Sequence, residues 1–257
     1  MGKERGNKDS ALGRKNDLRI INILGSVERV EAEMGYCMKE NAKIKTLIVD
    51  DEKISRGFFE YMIENSEDYE LAGALESAAD AQEFVSENEV DLVIMDIVMR
   101  DGSNGLDAAE KIKKHVADPG HNGYKTPKVI IVTGTVDPKN MKIARQAGVD
   151  SFWYKELSEQ PLLALMDRTM AGESIFPDKV PRITLGNAPS TEFTERELDV
   201  MRELTTGLSN KQIAAKLGVT DETIKSYIQQ MLDKTGYANR TELAVNAVLY
   251  GLIAVKN

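Results

Sequence analysis

Beyond Ile44, short apolar runs alternate with stretches whose apolar residues recur every three or four positions. KIKTLIV, ending at Asp50-Asp51, has the length and β-branching of a buried strand. Apolar residues at 54, 58, 59, 62 and 63 follow at helical spacing, predicting a helix over Ile54–Ile63. Tyr69–Leu75 reads as a second strand and Ala78–Glu87 as a second helix. DLVIMDIVM is a third strand and Gly105–His115 a third helix. KVIIVTGT predicts a fourth strand, Pro138–Ala147 a fourth helix, SFWYK a fifth strand and Pro161–Met170 a fifth helix. Five βα units in order predict an α/β domain with a parallel sheet covered on both faces, because parallel neighbours need right-handed crossovers.

Ala171–Glu192 breaks the alternation with Pro177, Pro181, Pro189, Gly172 and Gly186, and reads as a flexible linker. Four helical segments follow, Glu195–Thr206, Asn210–Leu217, Asp221–Thr235 and Arg240–Tyr250. Their starts are punctuated: Thr194 with Glu197 forms a capping box, Ser209 and Thr220 cap the next two, and Gly207 and Gly218 stop helices. Residues 1–43 are polar, with five glycines and no sustained period. They are expected to be a flexible extension; MKENAKIK from Met38 also reads as a protein start, which would place the first 37 residues upstream of it. The expected division is therefore 1–43 extension, 44–171 α/β domain, 172–192 linker and 193–257 helical domain.

Composition narrows the function classes. At 257 residues the chain is long enough for two domains, and 42% apolar content is that of a globular protein. No apolar run approaches the roughly 18–20 residues of a membrane span, so a cytoplasmic protein without membrane contact is expected. The single cysteine, Cys37, excludes an intramolecular disulfide or a cysteine-built zinc site, and His115 and His121 read as ordinary surface positions. The formal charge of −9 is unevenly spread. Residues 44–187 carry sixteen Lys/Arg against twenty-six Asp/Glu, whereas 188–257 carry eight against nine. The acidic α/β domain is thus a poor surface for nucleic acid, and the helical domain must rely on local clusters of basic residues.

The candidate chemistry gathers on one sheet edge. Asp50 and Asp51 close the first strand, Asp96 the third, Thr133 the fourth and Lys155 the fifth. In an open parallel sheet, ligands bind beyond the carboxyl ends of the strands. Three close carboxylates repel one another and suit a divalent cation; oxygen-only ligands favour Mg²⁺. A carboxylate can also accept a phosphoryl group as an aspartyl phosphate, with the cation and Lys155 neutralising charge.

VDDE, VIMDIVM, IVTGT and FWYK, within about Ile44–Met170, resemble the response-regulator receiver. The resemblance implies a (βα)5 flavodoxin-like domain with strand order 2-1-3-4-5. It also implies Asp96 as phosphoacceptor, and Asp50 and Asp51 as the acidic pair, with Asp51 favoured as the direct Mg²⁺ ligand. The Val98 carbonyl becomes a further ligand, Thr133 and Lys155 the phosphoryl partners, and Phe152 the switch aromatic. Departures are Arg100 where a proline is frequent, a loop to Gly105 one residue longer than usual, Glu156 after Lys155, and a longish segment before the fourth strand. An aspartate-nucleophile phosphatase is the enzyme alternative, but Val98 stands where that chemistry places a second aspartate.

FTERELDVMRELTTGLSNKQIAAKLGVTDETIKSYIQQMLDKTG closely resembles the LuxR-type helix-turn-helix of the NarL/FixJ regulators. That resemblance makes Asp221–Thr235 the reader helix in the major groove. Lys225, Ser226 and Gln229 face bases, and Lys211, Thr223, Lys234 and Arg240 contact phosphates. The last helix is the dimer contact, setting two readers roughly 34 Å apart on an inverted repeat. The expectation is a two-component regulator rather than an enzyme. A histidine kinase would phosphorylate Asp96 and thereby control dimerisation and binding of double-stranded DNA, with RNA polymerase a further candidate partner. The rival expectation is a phosphorylation-independent DNA-binding protein whose receiver serves as a dimerisation module.

Overall fold

A computed structural model describes residues 42–115, 125–155, 157–158 and 160–254. Residues 1–41 of the expected N-terminal extension, with Cys37 and Met38 among them, lie outside these, as do His121 and Glu156. From Ile44 on, the chain forms one compact unit.

The α/β part runs β1 (Ile44–Val49), α1 (Lys53–Glu64), β2 (Tyr69–Leu75), α2 (Ala81–Glu87), β3 (Leu92–Met95), α3 (Gly105–His115), β4 (Lys128–Thr133), α4 (Pro138–Gln146), β5 (Ser151–Tyr154) and α5 (Leu162–Met170). The sheet order is β2-β1-β3-β4-β5, with every pair parallel, as the resemblance implied. Alternation along the strands divides the core. Ile48, Ile94, Ile130 and Val132 pack with Phe59, Ile63, Leu165 and Met166 of α1 and α5. Their neighbours Leu47, Val49, Val93, Met95, Val129 and Ile131 face α2, α3 and α4. Both faces are buried, which is why the central strands read as unbroken apolar runs.

Residues 172–192 are more ordered than their prolines and glycines suggested. Ile175 bridges alongside Ser151, with Phe152 N–H donating to the Ile175 carbonyl at 2.8 Å. β6 (Thr184–Leu185) and β7 (Ala188–Pro189) form a small antiparallel ribbon. Gly186 turns between them at φ 60°, and a Cβ there would come within 2.2 Å of the Thr235 carbonyl. Only glycine fits that approach, so what reads as a chain breaker is a clamp on the end of a later helix.

The helical part comprises α6 (Glu195–Leu204), α7 (Asn210–Leu217), α8 (Asp221–Thr235) and α9 (Arg240–Leu249). Thr194 and Ser209 both make reciprocal capping boxes, Thr220 and Asn239 cap α8 and α9, and Gly218 and Gly236 end α7 and α8 in the left-handed region. Leu198, Met201, Ile213, Ile224, Met231 and Leu243 build its core. Among the described residues no helix is long and apolar enough to cross a membrane.

Candidate functional site

Each chemical side chain of the α/β part stands just past an apolar strand that cannot move without opening the core. Asp50 follows β1 and is 1% exposed; its Oδ1 accepts from the Glu52 N–H at 2.9 Å and its Oδ2 from the Ser55 hydroxyl at 2.7 Å. Asp96 follows β3, and its Oδ1 accepts from the Ile97 N–H at 2.6 Å. Lys155 follows β5, its N–H tied to the Thr133 carbonyl at 2.8 Å. Its ammonium donates to Asp50 Oδ2 at 2.7 Å and to Asp96 Oδ2 at 2.8 Å. Asp51 completes the group: one oxygen from each of Asp50, Asp51 and Asp96 lies within 4.8 Å of the others. Its Oδ2 accepts from the Arg100 N–H at 3.0 Å and pairs with Arg100 Nε at 3.2 Å.

Burial governs the electrostatics. It pushes the Asp96 carboxyl up to about 6, against the pull of Lys155. Burial also opposes charge on Lys155, but Asp96 and Asp50 outweigh it and hold the ammonium above its ordinary value. At neutral pH the pocket therefore presents an ionised, poorly solvated carboxylate beside a fixed ammonium. An oxygen-only set of this kind fits a hard divalent cation, and Lys155 leaves Asp51 outside its own pairings.

The neighbouring expectations find these places. Thr133 is buried at the same edge and accepts from the Thr135 N–H at 3.1 Å. Val98 bridges to Asn104, and the longer loop is pinned rather than loose, Asp101 accepting from the Ser77 and Ser103 hydroxyls at 2.6 and 2.7 Å. A Cβ on Gly105 would lie 1.8 Å from the Asp96 carbonyl oxygen, so the loop closes only over glycine. Phe152 is already inward, 1% exposed, stacked edge-on with Tyr154 at 5.0 Å and covered by Phe176 at 6.2 Å.

The helical part divides the expected DNA contacts. Lys225, Ser226 and Gln229 share one exposed face of α8, and Lys211 is exposed on α7. That face is internally paired: Lys225 meets Asp221 and Glu222, each at 3.1 Å, and Gln229 donates to Asp233 at 2.8 Å. Thr223 is half-buried, its N–H donating to the Thr220 cap. Lys234 and Arg240, the other two expected phosphate contacts, both have partners within the helical part. Lys234 donates to both Glu197 oxygens at 2.7 and 2.8 Å and to the Glu192 carbonyl. Arg240 donates to Asn210 Oδ1 and to the Leu208 carbonyl, at 2.6 and 2.7 Å. Both bind the helices together. Val245 and Leu249 of α9 are 50% and 74% exposed, an apolar stripe facing solvent.

The sequence reading missed the seam between the two parts. Arg202 of α6, 7% exposed, donates from Nε and Nη2 to the two Asp137 oxygens, both at 2.6 Å, and from Nη1 to Asp199 at 2.7 Å. Asp137 is also the cap of α4, four residues beyond Thr133. Beside it, the Val136 N–H donates to the Gly251 carbonyl at 2.7 Å. The seam leaves the outer face of α8 uncovered. The one local signal was Asp137-Pro138 as a helix start; its distant partner had none.

Known proteins resolve the class. Residues 46–167 match the response regulator receiver domain, and residues 191–247 the luxR family of bacterial regulatory proteins. The chain belongs to the response regulators that join a receiver to a LuxR-type DNA-binding domain. It is 28% identical to a nitrate/nitrite response regulator protein homolog of Haemophilus influenzae, over 79% of this chain and 95% of that one. It is 29% identical to the response regulator protein VraR of Staphylococcus epidermidis, over 82% and 99%. It is also 29% identical to the transcriptional regulatory protein YdfI of Bacillus subtilis, over 83% and 99%. A structure of RcsB from Salmonella enterica serovar Typhimurium, solved with promoter DNA and a phosphomimetic, shares the fold. Its TM-score is 0.51 at 18% identity, over 79% of this chain and 97% of that one.

Proposed function

We propose that the protein is a phosphorylation-switched transcription regulator in which Asp96 is the phosphoacceptor. The observation that carries this is the Lys155 ammonium bridging Asp50 and Asp96 with a third carboxylate within 4.8 Å. One Asp96 oxygen attacks the phosphorus of a phosphohistidine on a partner kinase; the P–N bond breaks and the kinase imidazole leaves with the electron pair. Asp51, Asp96 and the Val98 carbonyl would hold Mg²⁺, with Asp50 beside them, and the cation would supply charge neutralisation for the transferring group. Lys155 and the Thr133 hydroxyl then take the phosphoryl oxygens. Its charge is read by the 133–137 segment, which carries both the Thr133 sensor and the Asp137 anchor of the reader.

On the output side, two chains pair through the exposed α9 stripe and present two α8 helices to an inverted repeat of double-stranded DNA. Lys225, Ser226 and Gln229 read base edges, while Lys211 and the α8 N-terminus around Thr223 meet phosphates. RNA polymerase is the natural next partner, and a cytoplasmic location suits all of these roles. Nothing in this scheme requires turnover of a small molecule.

Labelling the purified chain with a small phosphodonor and Mg²⁺ tests the assignment. Label is expected on the wild type and lost in Asp96→Asn; equal labelling of the two refutes it. The inward Phe152 favours one rival, a receiver that dimerises without phosphate. DNA affinity unchanged by the phosphodonor would select that rival.

A further inference from the structure

The three carboxylates of the pocket do not share their cations equally. Lys155 pairs with Asp50 and Asp96, at 2.7 and 2.8 Å, whereas Arg100 pairs with Asp51. Two donors of Arg100, its N–H at 3.0 Å and its Nε at 3.2 Å, converge on the same oxygen, Asp51 Oδ2. The backbone there has little freedom, since the loop is tied down through Asp101 to Ser77 and Ser103. The guanidinium is different: the Arg100 side chain is 79% exposed, so it can swing into water at little cost. Asp51, 13% exposed, stays where it is. Every carboxylate in the pocket thus has a cationic partner supplied by the chain itself.

We propose that Arg100 is a positioning residue that acts as a built-in counter-cation for Asp51 and competes with the divalent metal for it. The inference rests on the reading of this pocket as a Mg²⁺ site. A cation approaching Asp51 meets an oxygen already neutralised, and binds only as the guanidinium departs. The N–H contact remains and keeps the carboxylate aimed at the pocket. An ion pair this exposed is weak, so the competition is modest: removing the charge should tighten Mg²⁺ binding about two- to fivefold. Arg100 therefore sets the Mg²⁺ concentration at which the pocket is loaded, a role a proline at this position cannot play because it has neither charge nor N–H.

Calorimetric titration of the full chain with MgCl2, without phosphodonor, reads this directly. Arg100→Gln is expected to bind Mg²⁺ about two- to fivefold more tightly than the wild type at low salt, and the gap should close as salt rises. Arg100→Lys, which keeps the charge, is expected to stay close to the wild type. Because the side chain lies in solvent, equal melting of the proteins in chelator checks that folding is untouched. Unchanged or weaker binding by Arg100→Gln overturns the proposal, as does Arg100→Lys behaving like Arg100→Gln. A wild type that binds no Mg²⁺ removes the premise and the proposal with it. Label persisting in Asp96→Asn would instead refute the phosphoacceptor and leave the titration result standing.

Discussion

Replacing Asp96 by asparagine should make the metal-free protein more stable, and by an amount that grows with pH. The substitution keeps the shape of the side chain and an oxygen for the Ile97 N–H, but removes a charge that burial disfavours. Asp96 ionises near its ordinary 3.8 in the unfolded chain and at about 6 in the folded one. Between those values the folded state binds more protons, so stability falls as pH rises through the window. The gap of about two pKa units, at about 1.4 kcal/mol each, bounds the effect at about 3 kcal/mol. That gap is already net of the pull of Lys155, so a difference of about 2–3 kcal/mol is expected. Urea unfolding in chelator, followed by Trp153 fluorescence, should show no difference between the proteins near about pH 4 and the full difference by about pH 8. A difference independent of pH, or a wild type more stable at the alkaline end, would refute the reasoning. It would mean that Lys155 stabilises the ionised carboxylate more than burial opposes it.

Four further outcomes follow from the geometry. Arg202→Ala leaves Asp137 buried and unpaired and should cost about 3–5 kcal/mol in thermal unfolding, whereas Arg202→Met with Asp137→Asn recovers much of the loss. Gly105→Ala forces a methyl into the Asp96 carbonyl, 1.8 Å away, and should abolish phosphoryl labelling while circular dichroism retains the helical part. Lys225→Ala should weaken specific DNA binding by about 1–3 kcal/mol and relax base preference at one position, measured by fluorescence anisotropy. In the same assay Lys234→Ala should leave the salt dependence unchanged and lower the melting temperature instead, since its ammonium serves Glu197.

The receiver pocket was legible because strand periodicity alone places residues at strand ends. Asp50, Asp96, Thr133 and Lys155 each follow an apolar run, and parallel pairing puts all such ends on one edge. Helix starts were legible for a similar reason: Thr194 and Ser209 satisfy their own helices within three residues. What escaped depends on partners far along the chain. The pairing of Lys234 with Glu197, thirty-seven positions earlier, has no local signal beside the phosphate contact that the resemblance implies. Nothing in the sequence around Arg202 points to Asp137, sixty-five positions away, which closes on it. The ribbon at 184–189 escaped because Gly186 signals a break and not the Thr235 carbonyl it must pass.

The carboxylates that accompany Lys225 bear on how the protein searches for its operator. In the proposed scheme, a reader domain with eight Lys/Arg against nine Asp/Glu gains little from counterion release on arbitrary DNA, so random sites would hold few copies. Unbound copies remain in the free pool, where pairing of two chains depends on the square of their concentration. With weak attraction to bulk DNA and two half-sites to fill together, occupancy is steep in active dimer. Under the scheme proposed above, a small change in the fraction phosphorylated would thereby become a larger change at the promoter.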